Sequence, residues 1–277
     1  MPELPEVEIV ARSLNKLVSS RKIVSAELLR ARLAPDTSPE QFANELTGAR
    51  VNFVHRRGKH LLFDMDNGRT LITHLRMSGK FMLLGARAEN PKFTHAILHF
   101  EDGERLVFHD QRHFGLMKIV ETSELHQANE IKKLAPEPLS DEFSFEYLRA
   151  TLLPSKRSLK EFLLDQTKVC GLGNIYASEA MFLSRLSPRT AACKLSKLRT
   201  ATLFENIRLV LSDAIALGSS MPVVPQDIGG SIYGRDSDWE WRVYDRENAP
   251  CINCDSPIVR IVQGGRSTYF CRKCQRR

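Results

Sequence analysis

With 277 residues, of which 42% are hydrophobic and 26% charged, the chain has the composition of a globular protein with one large or two ordinary domains. It contains no apolar run long enough to cross a bilayer and no N-terminal signal-peptide pattern, so we predict a cytoplasmic, nucleoid-associated protein without a membrane partner. The formal net charge of +7 favours a polyanionic partner without establishing one. The C-terminal segment is locally basic through Arg260, Arg266, Arg272, Lys273, Arg276 and Arg277.

The N-terminal stretch brings a proline and a carboxylate together at the end of the chain. Removal of Met1 would leave Pro2 with a free secondary amine, and an α-amino group of pKa ~8 is roughly 10% unprotonated at pH 7. Such an amine can form an iminium with an aldehyde-level carbon, which suits elimination chemistry. The spacing of apolar residues predicts an amphipathic helix over about residues 5–19. Alternatively, Pro2 and Pro5 only start this helix, and Glu3, Glu6 and Glu8 complement its dipole.

Residues 1–134 are predicted to form a β-rich domain behind that first helix. The expected strands lie at residues 23–29, within 51–65, and at 71–75, 96–100, 106–109 and 116–120. The turn Asp66-Asn67-Gly68 between alternating segments predicts a hairpin. We therefore expect a sandwich or barrel with attached helices.

A proline-containing linker is predicted at residues 135–145, and the periodicity beyond it is helical. Helices are expected at residues 145–152, 159–165, 175–183 and 197–217, within a second domain that covers residues 146–248. The turn Gly171-Leu172-Gly173-Asn174 could hold a phosphate at the start of a helix, or could be only a tight turn. Residues 219–238 are predicted to be an irregular loop.

The cysteine spacing is the most specific pattern in the chain. Cys251-x-x-Cys254 and Cys271-x-x-Cys274, separated by sixteen residues, match a site for one structural Zn²⁺ in a C-terminal finger at residues 249–277. A pair of disulfides is the alternative, and a signal-less chain argues against it. Cys170 and Cys193 are expected to be ordinary buried thiols.

Arg266 lies between the two cysteine pairs, beside Gly264 and Gly265. A hairpin turn at these glycines would present the arginine outward. There it would either contact a phosphate or remain in solvent.

Three ordered motifs resemble one known family. They are the opening MPELPEVE, the stretch LDQTKVCGLGNIYASEA at residues 164–180, and the C-terminal cysteine pattern. Together they resemble the bacterial formamidopyrimidine-DNA glycosylase and endonuclease VIII family, and PELPEVE points to the formamidopyrimidine branch. The resemblance implies an α+β protein: an N-terminal β-sandwich with its leading helix, a helix-two-turn-helix domain and a zinc finger.

The resemblance also implies roles for individual residues. Pro2, as the mature N-terminus, would be the nucleophile at C1′ of the damaged nucleotide, Glu3 the general acid/base, and Lys59 a hairpin lysine at the active site. Asn174 and Arg266 would contact phosphates. Met77, Arg112 and Phe114 would fill the void left by a base flipped out of the duplex. The alternative for Met77 and Phe114 is simple core packing.

The implied partner is double-stranded DNA that contains damaged bases or abasic sites, and the implied state is a monomer. The expected activity is removal of oxidised or ring-opened purines, followed by strand cleavage through β- and δ-elimination. Two alternatives stay open: the same chemistry on oxidised pyrimidines or alkylated bases, and a zinc-ribbon protein that binds damage without cutting.

The sequence departs from the family pattern at three places, and these put lesion choice in doubt. Gln111 and His113 stand where a proline and an arginine are common. The stretch 243–248 lacks the glycines usual before the finger, and residues 219–238 lack the usual threonine-containing pattern. Met221, Val223, Val224 and Ile228 of this loop are apolar, and we expect them to recognise an oxidised purine poorly.

Overall fold

The computed structural model describes residues 1–220, 224–228 and 241–276. The chain forms two compact units, one of Met1–Lys132 with Leu217–Ser237 and the other of Lys133–Ala216 with Asp238–Arg277. The described helices include none that is long and apolar enough to cross a membrane.

The first unit consists of two four-stranded antiparallel sheets with a leading helix. Its described elements are α1 (Leu4–Val18), β1 (Ile23–Leu28), α2 (Pro39–Leu46), β2 (Val51–Arg57), β3 (His60–Met65), β4 (Arg69–His74), β5 (Gly79–Leu84), β6 (Thr94–Phe100), β7 (Arg105–Asp110) and β8 (Leu116–Glu121). The sheets have the strand orders β2-β3-β4-β8 and β1-β6-β7-β5. Strand β5 is thus at the edge of its sheet.

The core of this unit includes an apolar cluster to which α1 and both sheets contribute. Leu14 of α1, Phe63 of β3 and Phe108 of β7 are each at most 1% exposed, and all three belong to this cluster. The predicted β-sandwich with a leading helix is therefore confirmed.

The second unit is helical and carries a short hairpin near its C-terminus. Its described elements are α3 (Phe145–Leu152), α4 (Leu159–Leu164), α5 (Asn174–Leu183), α6 (Lys197–Ser219), β9 (Val259–Gln263) and β10 (Arg266–Phe270). Ser144 and Ser158 cap α3 and α4, because each serine hydroxyl accepts a backbone N–H from the first turn. All four predicted helices of this domain are present.

The segment after α6 differs from its predicted assignment. The sequence placed residues 219–238 in the second domain, whereas residues 217–237 cluster with the first unit. Ile228, expected among the apolar groups that face a lesion, is instead 2% exposed within the core of the first unit. The corresponding expectations for Met221 and Val223 lie outside the described residues.

Candidate nucleic-acid interface and zinc centre

The N-terminus is fixed by two carboxylates at the start of α1. Glu3 is the N-cap residue, and its backbone N–H donates to Glu6 Oε2 at 2.7 Å in a capping-box arrangement. Glu3 and Glu6 are only 3% and 2% exposed. Two buried carboxylates therefore stand immediately beside Pro2, which is itself half-buried.

The electrostatic surroundings keep the terminal amine deprotonated more readily than in a free peptide. Burial lowers the pKa of the α-amino group of Met1, the carboxylates of Glu3 and Glu6 oppose this, and the cations of Lys59 and Arg112 assist it. Lys59 lies in the turn between β2 and β3 and is 5% exposed. The fold therefore brings Lys59 close to the N-terminal segment that contains Pro2 and Glu3.

The three residues expected to fill a void lie on two neighbouring turns. Met77 is in the turn between β4 and β5, whereas Arg112 and Phe114 are in the turn between β7 and β8. Met77 and Phe114 are each 45% exposed, which excludes the core-packing alternative. The Arg112 guanidinium lies 5.3 Å from the centre of the Phe114 ring. We call Met77, Arg112 and Phe114 the wedge residues.

Asp110, which the sequence analysis did not single out, joins the two wedge turns. Its carboxylate accepts from the Ser78 hydroxyl and from the backbone N–H groups of Arg112, at 3.2 Å, and Gly115, at 2.7 Å. Burial opposes ionisation, but these hydrogen bonds outweigh it and lower the pKa of Asp110. The signal was available, since an aspartate before a turn commonly accepts nearby backbone N–H groups.

An open groove of about 590 Å³ runs past the N-terminus and the wedge turns. Met1, Met77 and Phe114 line it together with Arg32 and Arg76, two exposed arginines that the sequence analysis missed. Arg76 has φ of 54°, and its N–H donates to Nδ1 of His74 at 3.0 Å. The groove is lined by apolar side chains and by two arginines, which suits a polyanion that carries flat apolar groups.

The two expected phosphate contacts of the second unit also lie close together. Asn174 is the first residue of α5, and its side-chain N–H donates to the carbonyl of Ser267 at 2.8 Å. Ser267 follows Arg266, which is exposed at the start of β10, directly after a turn at Gly264 and Gly265. Both glycines have positive φ, 54° and 73°, so this turn depends on them.

The finger's four cysteines form a single cluster. The sulfur atoms of Cys251, Cys254, Cys271 and Cys274 lie within 4.8 Å of one another. The separations Cys251–Cys274, 3.9 Å, and Cys254–Cys271, 3.5 Å, are far longer than a disulfide of about 2.0 Å. They match the ~3.8 Å expected between sulfurs at ~2.3 Å from a tetrahedral Zn²⁺.

The thiols of this cluster differ in pKa. Hydrogen bonds from Ser256 lower the pKa of Cys254 to about 6, whereas burial raises that of Cys274 to about 12. A bound dication replaces such protons. The cluster therefore fits one structural zinc ion, as the sequence predicted. Among the other cysteines, Cys170 is fully buried and Cys193 half-buried.

Comparisons with known proteins agree along the whole chain. Residues 1–117 match the formamidopyrimidine-DNA glycosylase N-terminal domain, residues 134–224 the H2TH domain of the same enzyme, and residues 249–277 the zinc finger found in FPG and IleRS. A formamidopyrimidine-DNA glycosylase of Dinoroseobacter shibae is 41% identical over 100% of both chains.

Two solved structures of the Lactococcus lactis protein, one with DNA containing N7-benzyl-Fapy-dG and one with DNA containing an oxidised pyrimidine, are 35% identical to this chain. Each has a TM-score of 0.91 and covers 100% of both chains. Three family models in the expected order, full-length relatives and a full-length structural match all give the same answer. The chain belongs to the formamidopyrimidine-DNA glycosylase family.

Proposed function

We propose that the protein is a base-excision repair enzyme that removes oxidised or ring-opened purines from double-stranded DNA and then cleaves the strand at the abasic site. The observation that carries this proposal is the start of the chain, where the half-buried Pro2 lies beside the buried carboxylates of Glu3 and Glu6, and where the terminal amino group is near the cations of Lys59 and Arg112. A protein that only bound damage would need no such amine. We further propose that it acts as a monomer on nucleoid DNA in the cytoplasm.

In the proposed reaction, Pro2 becomes the N-terminal residue after removal of Met1. Its nitrogen bonds to C1′ while the bond between C1′ and the base breaks, and the base leaves with a proton. Glu3 donates a proton to the ring oxygen of the sugar as the ring opens, which leaves an iminium between Pro2 and C1′. Loss of a proton from C2′ then expels the 3′ phosphate, and a second elimination expels the 5′ phosphate.

The remaining residues would position DNA for this chemistry. Lys59 would hold a phosphate near the amine and assist its deprotonation through its charge. The exposed wedge residues would occupy the space left by the flipped nucleotide, so that the stack does not close. Asn174 and Arg266 would contact the phosphate backbone.

The test is borohydride trapping on DNA that contains an abasic site, because reduction fixes an iminium as a stable covalent link. Protein that begins at Pro2 should be trapped, and protein engineered to retain Met1 should not. Lys59→Ala should still be trapped, although more slowly. Trapping that persists with Met1 retained and is lost in Lys59→Ala would assign the nucleophile to Lys59 instead.

A second candidate substrate class is oxidised pyrimidines. The relative from Lactococcus lactis was crystallised with DNA containing an oxidised pyrimidine. The chemistry at Pro2 and Glu3 does not depend on the base, so the same protein would serve both classes. Excision rates on duplexes that carry either lesion opposite its normal partner would rank them.

A further inference from the structure

A short segment after α6 pairs with the open edge of strand β5. Residues 224–228 include a 3-10 turn at Pro225–Asp227, in which the N–H of Asp227 donates to the carbonyl of Val224 at 3.0 Å. The next N–H, of Ile228, donates to the carbonyl of Phe81 at 3.1 Å and forms an isolated antiparallel bridge. This bond satisfies an acceptor on β5, which among the described strands has a neighbour on one side only.

Two side chains strengthen this contact, one polar and one apolar. Asp227 accepts an ion-paired hydrogen bond from Lys80 Nζ at 2.8 Å. Ile228 is 2% exposed and belongs to the same apolar cluster as Phe81. Main chain, charge and apolar packing therefore all fix the segment on residues 80 and 81.

Residues 80 and 81 lie immediately beside the wedge turns. Strand β5 begins at Gly79, two residues after Met77. The Phe81 ring contacts that of Phe108, with centres 5.2 Å apart. A Cβ on Gly79 would lie 2.8 Å from the Phe108 ring, and one on Gly115 would lie 2.7 Å from it. The Phe108 ring thus packs against Gly79, which is two residues after Met77, and against Gly115, which is one residue after Phe114.

We propose that residues 224–228 are a positioning element for the wedge, with Asp227 and Ile228 as its positioning residues. By holding Lys80 and Phe81, they keep the edge strand and the Phe108 ring in place, and hence the turns that carry Met77 and Phe114. This inference rests on the proposed role of the wedge in base extrusion. It assigns a positioning role to a segment whose described contacts include residues 80 and 81.

We expect loss of this element to affect lesion excision more than abasic-site cleavage. Excision of a base-paired lesion requires the wedge to enter the stack, whereas a preformed abasic site has no base to extrude and the least unstacking to overcome. Loosening the element should therefore slow lesion excision and affect abasic-site cleavage little. General loss of folded protein would reduce both rates in proportion.

The experiment compares single-turnover rates on two duplexes, one with a formamidopyrimidine lesion opposite cytosine and one with an abasic site. The variants are Asp227→Asn and Ile228→Ala, with Asp227→Glu as the conservative rescue. Arg69→Gln is the matched control, because Arg69 and Glu121 form a similarly exposed ion pair, 2.7 Å long, on β4 and β8. Each protein is assayed well below its own melting temperature.

We expect Asp227→Asn and Ile228→Ala to lower lesion excision by roughly tenfold, as small displacements of positioned groups do, with less than about a twofold change at the abasic site. Asp227→Glu and Arg69→Gln should resemble the wild type. Lys80→Gln should reproduce Asp227→Asn, and the double variant should be no worse than either, which shows that the two residues act as a pair.

Met77→Ala separates failure of this inference from failure of the proposed wedge. If Met77→Ala does not lower excision selectively, the wedge has no role in extrusion and this inference is overturned with it. If Met77→Ala is selective while Asp227→Asn and Ile228→Ala behave like Arg69→Gln, the wedge stands and the positioning element is wrong. Because Asp227 is partly exposed, Asp227→Asn remains informative even if Ile228→Ala fails to fold.

Discussion

At the residue scale, the wedge depends on one buried carboxylate. Asp110 is 1% exposed and accepts from a hydroxyl and two backbone N–H groups, which join the two turns. An amide in its place would face these donors with an NH₂ group or lose at least one of them. Leaving buried donors unsatisfied costs about 1–3 kcal/mol each. We expect Asp110→Asn to lower both the melting temperature and lesion excision.

The pH dependence of this effect has a definite sign. The pKa of Asp110 is lowered in the folded protein, so its stabilising effect is complete above the unfolded value of about 3.9 and is lost as the pH falls through the folded value. The difference in melting temperature between wild type and Asp110→Asn should therefore be constant from pH 7 to 5 and shrink at lower pH. A difference that grows on acidification would contradict this.

Arg266 gives a second residue-scale prediction. It is exposed on the turn that follows two glycines with positive φ, with no acidic neighbour within its own hairpin. Loss of one phosphate contact lowers the slope of log K against log salt by about 0.9. We expect this change in Arg266→Ala for damaged and undamaged duplexes alike.

Arg272→Ala is the matched control for Arg266→Ala, because it removes the same charge from the same finger at another exposed position. Binding isotherms at several salt concentrations should show a smaller change of slope for this control. Equal changes would mean that net charge, not a contact at Arg266, sets the affinity.

At the scale of elements, the sequence predicted the helices and strands whose apolar residues recur with a clear period. It missed elements in which the tertiary surroundings remove that periodicity. Helix α1 and the hairpin of β3 and β4 follow their apolar spacing closely. Strand β5 was missed because Phe81, Leu83 and Leu84 form a nearly continuous apolar run, buried on both faces of its sheet. Helix α2 was missed although Ser38 and Pro39 give it a regular start.

The candidate site divides in the same way. The roles proposed for Pro2, Glu3, Lys59 and the wedge residues came from sequence motifs, because the chemistry that they would perform constrains the residue types. The hydrogen bonds by which Asp110 joins the two turns, and the burial of Ile228, are tertiary contacts. Contacts between residues 81 and 228 leave no local pattern, so nothing short of the fold reveals them.

The zinc finger supplies the prediction for a single element. Hairpin β9–β10 carries Arg266, and the four-thiolate cluster fixes its base. Because a small hairpin has little core of its own, loss of a ligand should unfold it. We expect Cys274→Ser to bind no zinc and to bind DNA weakly, whereas Cys193→Ser, outside the cluster, keeps both. Metal analysis and binding isotherms on the two proteins check this.

At the scale of the whole molecule, the proposed catalytic residues and the proposed phosphate contact of the finger belong to different units. Pro2, Glu3, Lys59 and the wedge all belong to the first unit, and the zinc cluster with Arg266 belongs to the second. In the proposed mechanism the bond-breaking groups act on the sugar, so they need not distinguish one base from another. On this proposal, lesion choice depends on other groups. Our candidate is the stretch of residues 219–238, whose sequence departs from the family pattern.

The final prediction concerns that choice. The apolar composition of residues 221–224 offers no hydrogen-bonding side chain to the polar edge of an oxidised purine, and a site without such partners discriminates poorly. Ile228 no longer contributes to this argument, since it is buried in the core. We still expect formamidopyrimidine and abasic sites to be processed faster than 8-oxoguanine.

Single-turnover rates on duplexes with each lesion opposite cytosine decide the matter, and the abasic duplex reports the chemistry without recognition. A low rate for 8-oxoguanine alone would mean that recognition of this base is impaired. Slow cleavage of all three substrates would instead mean that the chemical step at Pro2 is impaired. Equal rates for 8-oxoguanine and formamidopyrimidine would mean that the unusual sequence of this stretch has no influence on specificity.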